Sequence, residues 1–156
     1  MKIAIYPGSF DPITLGHLNI IQKSEKIFDK IIIGIGENNK KTSFFSSEKK
    51  LQLIKKIFIK NKNISVTRYN SLTTDFCKLN SAKFIIRGVR NTNDFEIEKQ
   101  LATMNEELEK TITTIFIPCS KNFNEISSSL VKELIINKGP FEKFVPKEII
   151  HELKIK

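Results

Sequence analysis

Five short runs of β-branched and apolar residues, at positions 3–6, 31–36, 64–68, 84–87 and 113–118, recur along the chain with helix-patterned stretches between them. As a set they lack a regular alternation of apolar with polar residues. A strand with one wet face alternates and a strand covered on both faces does not, so the runs predict a parallel sheet with helices on either side. Strand and helix in regular succession give an open, doubly wound sheet with right-handed crossovers. The expectation is an α/β chain of one domain, residues 1–156, built on a five-stranded, Rossmann-like parallel sheet.

The helical stretches carry their own apolar spacing. After Gly16, the residues Ile20, Ile21, Ile27 and Phe28 form one stripe around Ser24, and Leu51, Ile54, Ile57 and Phe58 form another after Ser47. Ile97, Leu101, Met104 and Leu108 follow i, i+4, i+7, i+11, which predicts a buried helix face. Residues 127–137 and 146–153 read as closing helices, with Gly139-Pro140 as a breaker between them. The polar stretch 37–43 reads as a mobile loop after the second strand.

Charge and cysteine content narrow the function. The formal charge is +9, but the lysines are scattered over helical polar faces, as at Lys49, Lys50, Lys55 and Lys56, and these predict a solvated surface. A positive field of this kind suits small phosphorylated substrates better than nucleic acid. No apolar run approaches the roughly 20 residues of a membrane-spanning helix. The N-terminus turns at Pro7-Gly8 with no signal-like apolar stretch, so export is not expected. Cys77 and Cys119 lack Cys-x-x-Cys spacing and have only His17 and His151 as imidazole company, which argues against a zinc site or a disulfide and for reduced thiols in the cytoplasm. Arginine occurs only at Arg68, Arg87 and Arg90, and the last two share one short segment. A guanidinium fork matches phosphate in a way that an ammonium does not.

Ligands of open α/β sheets bind beyond the carboxyl ends of the strands, where the strand order reverses. If the first and fourth strands are neighbours there, residues 8–17 and 87–90 converge on one crevice. The first of these segments, Tyr6-Pro7-Gly8-Ser9-Phe10-Asp11-Pro12-Ile13-Thr14-Leu15-Gly16-His17, ends at a helix start whose free amides suit a phosphate. The second leads from Arg87-Gly88-Val89-Arg90 into Asn91-Thr92-Asn93-Asp94-Phe95-Glu96-Ile97-Glu98, and on through Gln100-Leu101-Ala102 to Met104-Asn105. Two further pieces are Lys41 followed by Phe45-Ser46 and Glu48, and Ile126-Ser127-Ser128-Ser129 opening a helix.

The first segment resembles the signature of the nucleotidylyltransferase superfamily, Gly-Ser/Thr-Phe-Asp-Pro followed by His/Thr-x-Gly-His, with Thr14 and His17 at the ends of the latter. The second is similar to a stretch characteristic of the bacterial-type phosphopantetheine adenylyltransferases, and the resemblance extends over nearly the whole chain. It implies an enzyme that moves AMP from ATP onto 4′-phosphopantetheine, giving dephospho-coenzyme A and pyrophosphate. It further implies that His17, Lys41 and Arg90 are catalytic and that Ser9, Lys41, Thr73 and Arg87 hold the acceptor. ATP is expected at Ser9, Phe10, His17, Gly88, Val89, Arg90 and Glu98, and at Phe123, Asn124, Glu125, Ile126, Ser127, Ser128 and Ser129. A Mg²⁺ ion held chiefly by the ATP phosphates, no protein metal ligands, and a homohexamer complete what the resemblance implies. The acceptor's phosphate is mostly dianionic at neutral pH, with a second pKa of about 6, so the chemistry needs positioning and charge stabilisation more than a general base.

Overall fold

The computed structural model describes residues 1–37 and 42–154. Its elements run β1 (Ile3–Gly8), α1 (Leu15–Ser24), β2 (Lys30–Gly36), α2 (Ser47–Ile57), β3 (Ile64–Tyr69), α3 (Thr73–Leu79), β4 (Phe84–Val89), α4 (Thr92–Leu108), β5 (Thr113–Pro118), α5 (Ser128–Ile136) and α6 (Ile150–Lys154). Short 3₁₀ turns occupy Lys121–Phe123, Glu142–Phe144 and Lys147–Ile149. The five strands form one parallel sheet in the order β3-β2-β1-β4-β5, with β1 and β4 side by side at the switch point.

Both faces of the sheet are covered, as the unbroken apolar runs predict. Ala4, Tyr6, Ile31, Ile33, Ile35 and Ile86 belong to the larger core cluster, together with Ile20 and Ile21 of α1, Leu53 and Ile54 of α2 and Val131 and Ile135 of α5. The residues one step out of phase, Ile5, Ile32 and Ile85, pack on the other face with Phe76 and Cys77 of α3. The period of two along a strand sends neighbours to opposite faces.

Pairing along the central strands is uneven, and this unevenness builds the site. β1 pairs with β2 along its whole length, from Ile3 opposite Lys30 to Gly8 opposite Ile35. It pairs with β4 only at Ala4 and Ile5, opposite Phe84 and Ile85. Beyond these residues the two strands splay, and a cleft opens at their carboxyl ends.

Three expectations are corrected, and one element is added. The stripe of α4 is open: Ile97, Leu101, Met104 and Leu108 are 60%, 41%, 57% and 52% exposed. The helix meets the sheet near its start, where Phe95 packs edge-on against Phe116 at 5.1 Å, and β5 beneath it is an edge strand. Lys50 is not on a solvated face but 2% exposed, with its ammonium donating to Ser43 Oγ at 3.4 Å. Ile27 follows the end of α1 and is 47% exposed, so it leaves the predicted stripe. The added element is α3, whose seven residues are too few to show a period, with only Thr74, Phe76 and Cys77 buried.

Candidate active site

Between the splayed ends of β1 and β4 lies a cavity of about 250 Å³, walled by Tyr6, Thr14, Gly16, His17, Ile20, Gly88, Arg90, Cys119 and the run from Ile126 to Ser129. Each wall has a local cause. Thr14 caps α1 with extended backbone (φ −125°, ψ 170°), which places His17 in the first turn. Ser127 caps α5, its hydroxyl accepting from Leu130 N–H at 3.1 Å, which leaves earlier amides of that turn for a ligand. Ser128 Oγ donates to the Pro12 carbonyl at 2.7 Å and ties this turn to the first motif. Two helix N-termini therefore face the same space, a favourable setting for phosphate. Gly88 lets α1 approach β4: a Cβ there would lie 2.8 Å from Ile20 Cγ1.

His17 accepts at Nδ1 from the Thr14 N–H at 3.0 Å. Its ring meets Phe10 edge-on at 5.1 Å. Burial, and then the positive charge of Arg90, lower its pKa from 6.5 to about 4, so the imidazole is neutral at neutral pH. Burial likewise pushes the Tyr6 phenol well above its ordinary value, so it stays protonated. Arg90 forks onto Asp94 through Nε at 2.8 Å and Nη2 at 3.3 Å, a pair that raises its pKa.

A second hollow of about 220 Å³ opens beside the first, walled by Pro7, Gly8, Ser9, Gly36, Glu37, Tyr69, Ser71, Thr73 and Arg87. Arg87 spans the splay, donating to the Pro7 carbonyl at 3.2 Å and forking onto Glu98, with Nη2 to Oε1 at 2.6 Å. Thr73 Oγ1 lies 3.1 Å from the Tyr69 hydroxyl.

The expected residues fall into four groups. His17, Gly88, Arg90, Ile126, Ser127, Ser128 and Ser129 line the first cavity; Ser9, Thr73 and Arg87 line the second. Phe10, Val89, Glu98, Phe123, Asn124 and Glu125 line neither. Phe10 is 2% exposed and braces His17, while Val89 accepts from Cys119 N–H at 2.8 Å and Glu98 holds Arg87. Phe123 ends the 3₁₀ turn before α5, Glu125 is exposed, and Asn124 Oδ1 is buried without a partner among the described residues. Lys41 lies outside the described residues, as does Lys40.

The cavity also has walls that the sequence did not mark. Ile20 reads as part of a helix stripe and Cys119 as a reduced thiol, while Tyr6, Thr14 and Gly16 stand in the sequence only as positions of the first motif. Asp11, 6% exposed, is another omission. Its carboxylate accepts from Phe44 N–H and Phe45 N–H, both at 2.8 Å, and so pins the segment before α2 to the first motif. Both cysteines are free thiols, and burial pushes Cys77 up to about 12. Among the described residues no cluster of three His, Cys, Asp or Glu side chains is placed to hold a metal ion, and no helix is long and apolar enough to cross a membrane.

The class that this fold and cleft define is that of the cytidylyltransferase-like proteins, whose family model matches residues 5–134. A protein of Clostridium botulinum (strain Eklund 17B) named phosphopantetheine adenylyltransferase is 46% identical over 98% of this chain and 96% of its own length. Proteins of the same name from Lachnoclostridium phytofermentans and Clostridium perfringens (strain SM101) are 45% and 42% identical over 96% and 99% of the chain, and 92% and 94% of their own lengths. The chain thus belongs to the cytidylyltransferase-like family and, within it, to the phosphopantetheine adenylyltransferases. Among solved structures, a bifunctional NMN adenylyltransferase/ADP ribose pyrophosphatase from Francisella tularensis superposes with a TM-score of 0.70 at 18% identity, a likeness of fold alone. The match covers 92% of this chain and 44% of that one.

Proposed function

We propose that this chain transfers the adenylyl group of ATP to 4′-phosphopantetheine, giving dephospho-coenzyme A and pyrophosphate. A phosphate oxygen of the acceptor forms a bond to the α-phosphorus while the bond to the β-phosphate oxygen breaks, in line and with no covalent enzyme intermediate. One observation carries the reading most: two hollows flank the carboxyl ends of β1 and β4, one bearing helix N-termini, His17 and Arg90, the other bearing Ser9, Thr73 and Arg87. Two phosphorylated substrates need such a pair of sites. The name shared by relatives at 42–46% identity supports the same choice.

In this reading the α-phosphate lies against His17 Nε2–H, and Arg90, the Gly88 and Val89 backbone and Ser127 to Ser129 hold the remaining phosphates. Ser9 and Arg87 take the acceptor phosphate, Thr73 flanks its pantetheine arm, and Lys41 neutralises charge passing between the substrates. The adenosine rests on the segment from Phe123 to Ile126, with Phe10 behind His17 and Glu98 reaching the nucleotide from α4. The groups lining the first cavity are cationic, hydroxyl and amide, which suit phosphate oxygens rather than a cation. Mg²⁺ therefore fits only as an ion carried by the phosphates and water, where it offsets their charge. One domain, residues 1–156, acts in the cytoplasm within a homohexamer, and the open stripe of α4 supports such self-association. Nucleic acid and membrane are not partners.

An acceptor panel tests the proposal. Pyrophosphate release with ATP should require 4′-phosphopantetheine and be negligible with nicotinamide mononucleotide; the reverse preference would reject it.

A further inference from the structure

The helix that carries His17 begins in an unusual way. In a common helix start, a Glu or Gln at the third helical position reaches back to the backbone N–H of the capping residue. Here the third residue of α1 is His17, and the ring makes that return contact: Thr14 N–H donates to Nδ1 at 3.0 Å. A backbone N–H has nothing to accept with, so Nδ1 must present its lone pair, and on a neutral ring the proton then sits on Nε2. Thr14 Oγ1 lies 3.0 Å from the same Nδ1 and, facing that lone pair, acts as a second donor. Thr14 is 1% exposed, and Phe10 fixes the ring plane from the side, so the arrangement has little freedom.

We propose that Thr14 is the positioning residue of this site: its main-chain N–H and hydroxyl together fix the proton of His17 on Nε2, where it meets the cavity. His17 is thereby a permanent donor. With Nδ1 engaged and Nε2 already protonated, the neutral ring has no free lone pair with which to deprotonate a nucleophile, so it assists by donating to the developing charge. Thr14 itself need touch no substrate. The assignment of that charge to an α-phosphate rests on the function proposed above, whereas the location of the proton does not.

Imidazole ¹⁵N spectra of the His151→Gln protein, which leaves His17 as the single histidine, test the proton's place directly. His151 is exposed on α6, away from the cavity. A neutral ring protonated at Nε2 is expected; an Nδ1–H ring, or a mixture of the two in fast exchange, overturns the proposal. This readout is independent of any enzymatic activity, so it separates failure of the inference from failure of the functional reading. Thr14→Val removes the hydroxyl donor and should lower kcat about 5- to 10-fold, with the KM for ATP little changed and the Nε2–H preference weakened. Thr14→Ser should restore both. Equal kcat in Thr14→Val and wild type would remove the hydroxyl from the positioning role.

Discussion

At the scale of single residues, both arginines of the site are paired within the chain. Arg90 is forked onto Asp94 and Arg87 onto Glu98, so anions entering either hollow exchange one carboxylate partner for another rather than meeting a bare cation. The geometry of the fork then matters more than the charge. Arg90→Lys should weaken ATP binding about tenfold in calorimetry, since a point charge keeps at most one of two charge-assisted contacts. Undiminished affinity would make the Asp94 pair a surface contact and no more. His17 has a second signature, in stability. Its folded pKa of about 4 lies below the ordinary 6.5, so between these values the unfolded chain binds a proton that the folded chain refuses. Acidification through that window therefore lowers stability, and below about pH 4 this contribution levels off. Denaturation midpoints of wild type and His17→Gln, followed from pH 6.5 to pH 4, should diverge, with wild type falling faster. Parallel curves would contradict a buried neutral imidazole.

At the scale of elements, the apolar pattern told where the strands are and less about what covers the helices. Runs such as Ile31 to Ile35 have one physical explanation, burial on both sides, and all five became strands. They extend further than the β-branched residues suggest at β1 and β4, where Pro7-Gly8 and Gly88-Val89 continue the extended backbone into the site. The α4 stripe shows the opposite case. Periodicity reports that a helix has an apolar face and is silent about which surface meets it. Leu101→Ser with Met104→Ser should therefore leave the protomer folded, with an unchanged circular dichroism spectrum, because these side chains are exposed on the single chain, while shifting sedimentation towards smaller species. Unchanged assembly would put the self-contact on another face. Of the site, the motif residues His17, Gly88, Arg90 and Ser127 to Ser129 were legible because glycine, serine and paired arginines are out of place in a core. Tyr6 and Cys119 were not, because a tyrosine opening the motif and an isolated thiol carry no sign of a cavity wall, and the cap geometry of Thr14 is a matter of backbone angles that a sequence does not show.

At the scale of the whole molecule, function follows from a defect in the sheet. β1 and β4 share only two paired positions before they part. Several walls of the two hollows flank that parting: the turn from Gly8 to Thr14 on one side, Arg87 to Arg90 on the other, and α5 tied down by Ser128 to Pro12. The sheet sacrifices ladder hydrogen bonds there and recovers part of the loss through the Arg87 contact to Pro7. In the proposed reaction this cleft joins ATP to 4′-phosphopantetheine, with His17 serving as a transition-state donor. The most direct measurement is single-turnover formation of dephospho-coenzyme A, followed by mass, in wild type and His17→Ala at saturating substrates. Product is expected from the wild type and a rate lower by on the order of 10²- to 10³-fold in the variant, with ATP affinity far less affected. No dephospho-coenzyme A from the wild type, or an equal rate in the variant, would contradict it.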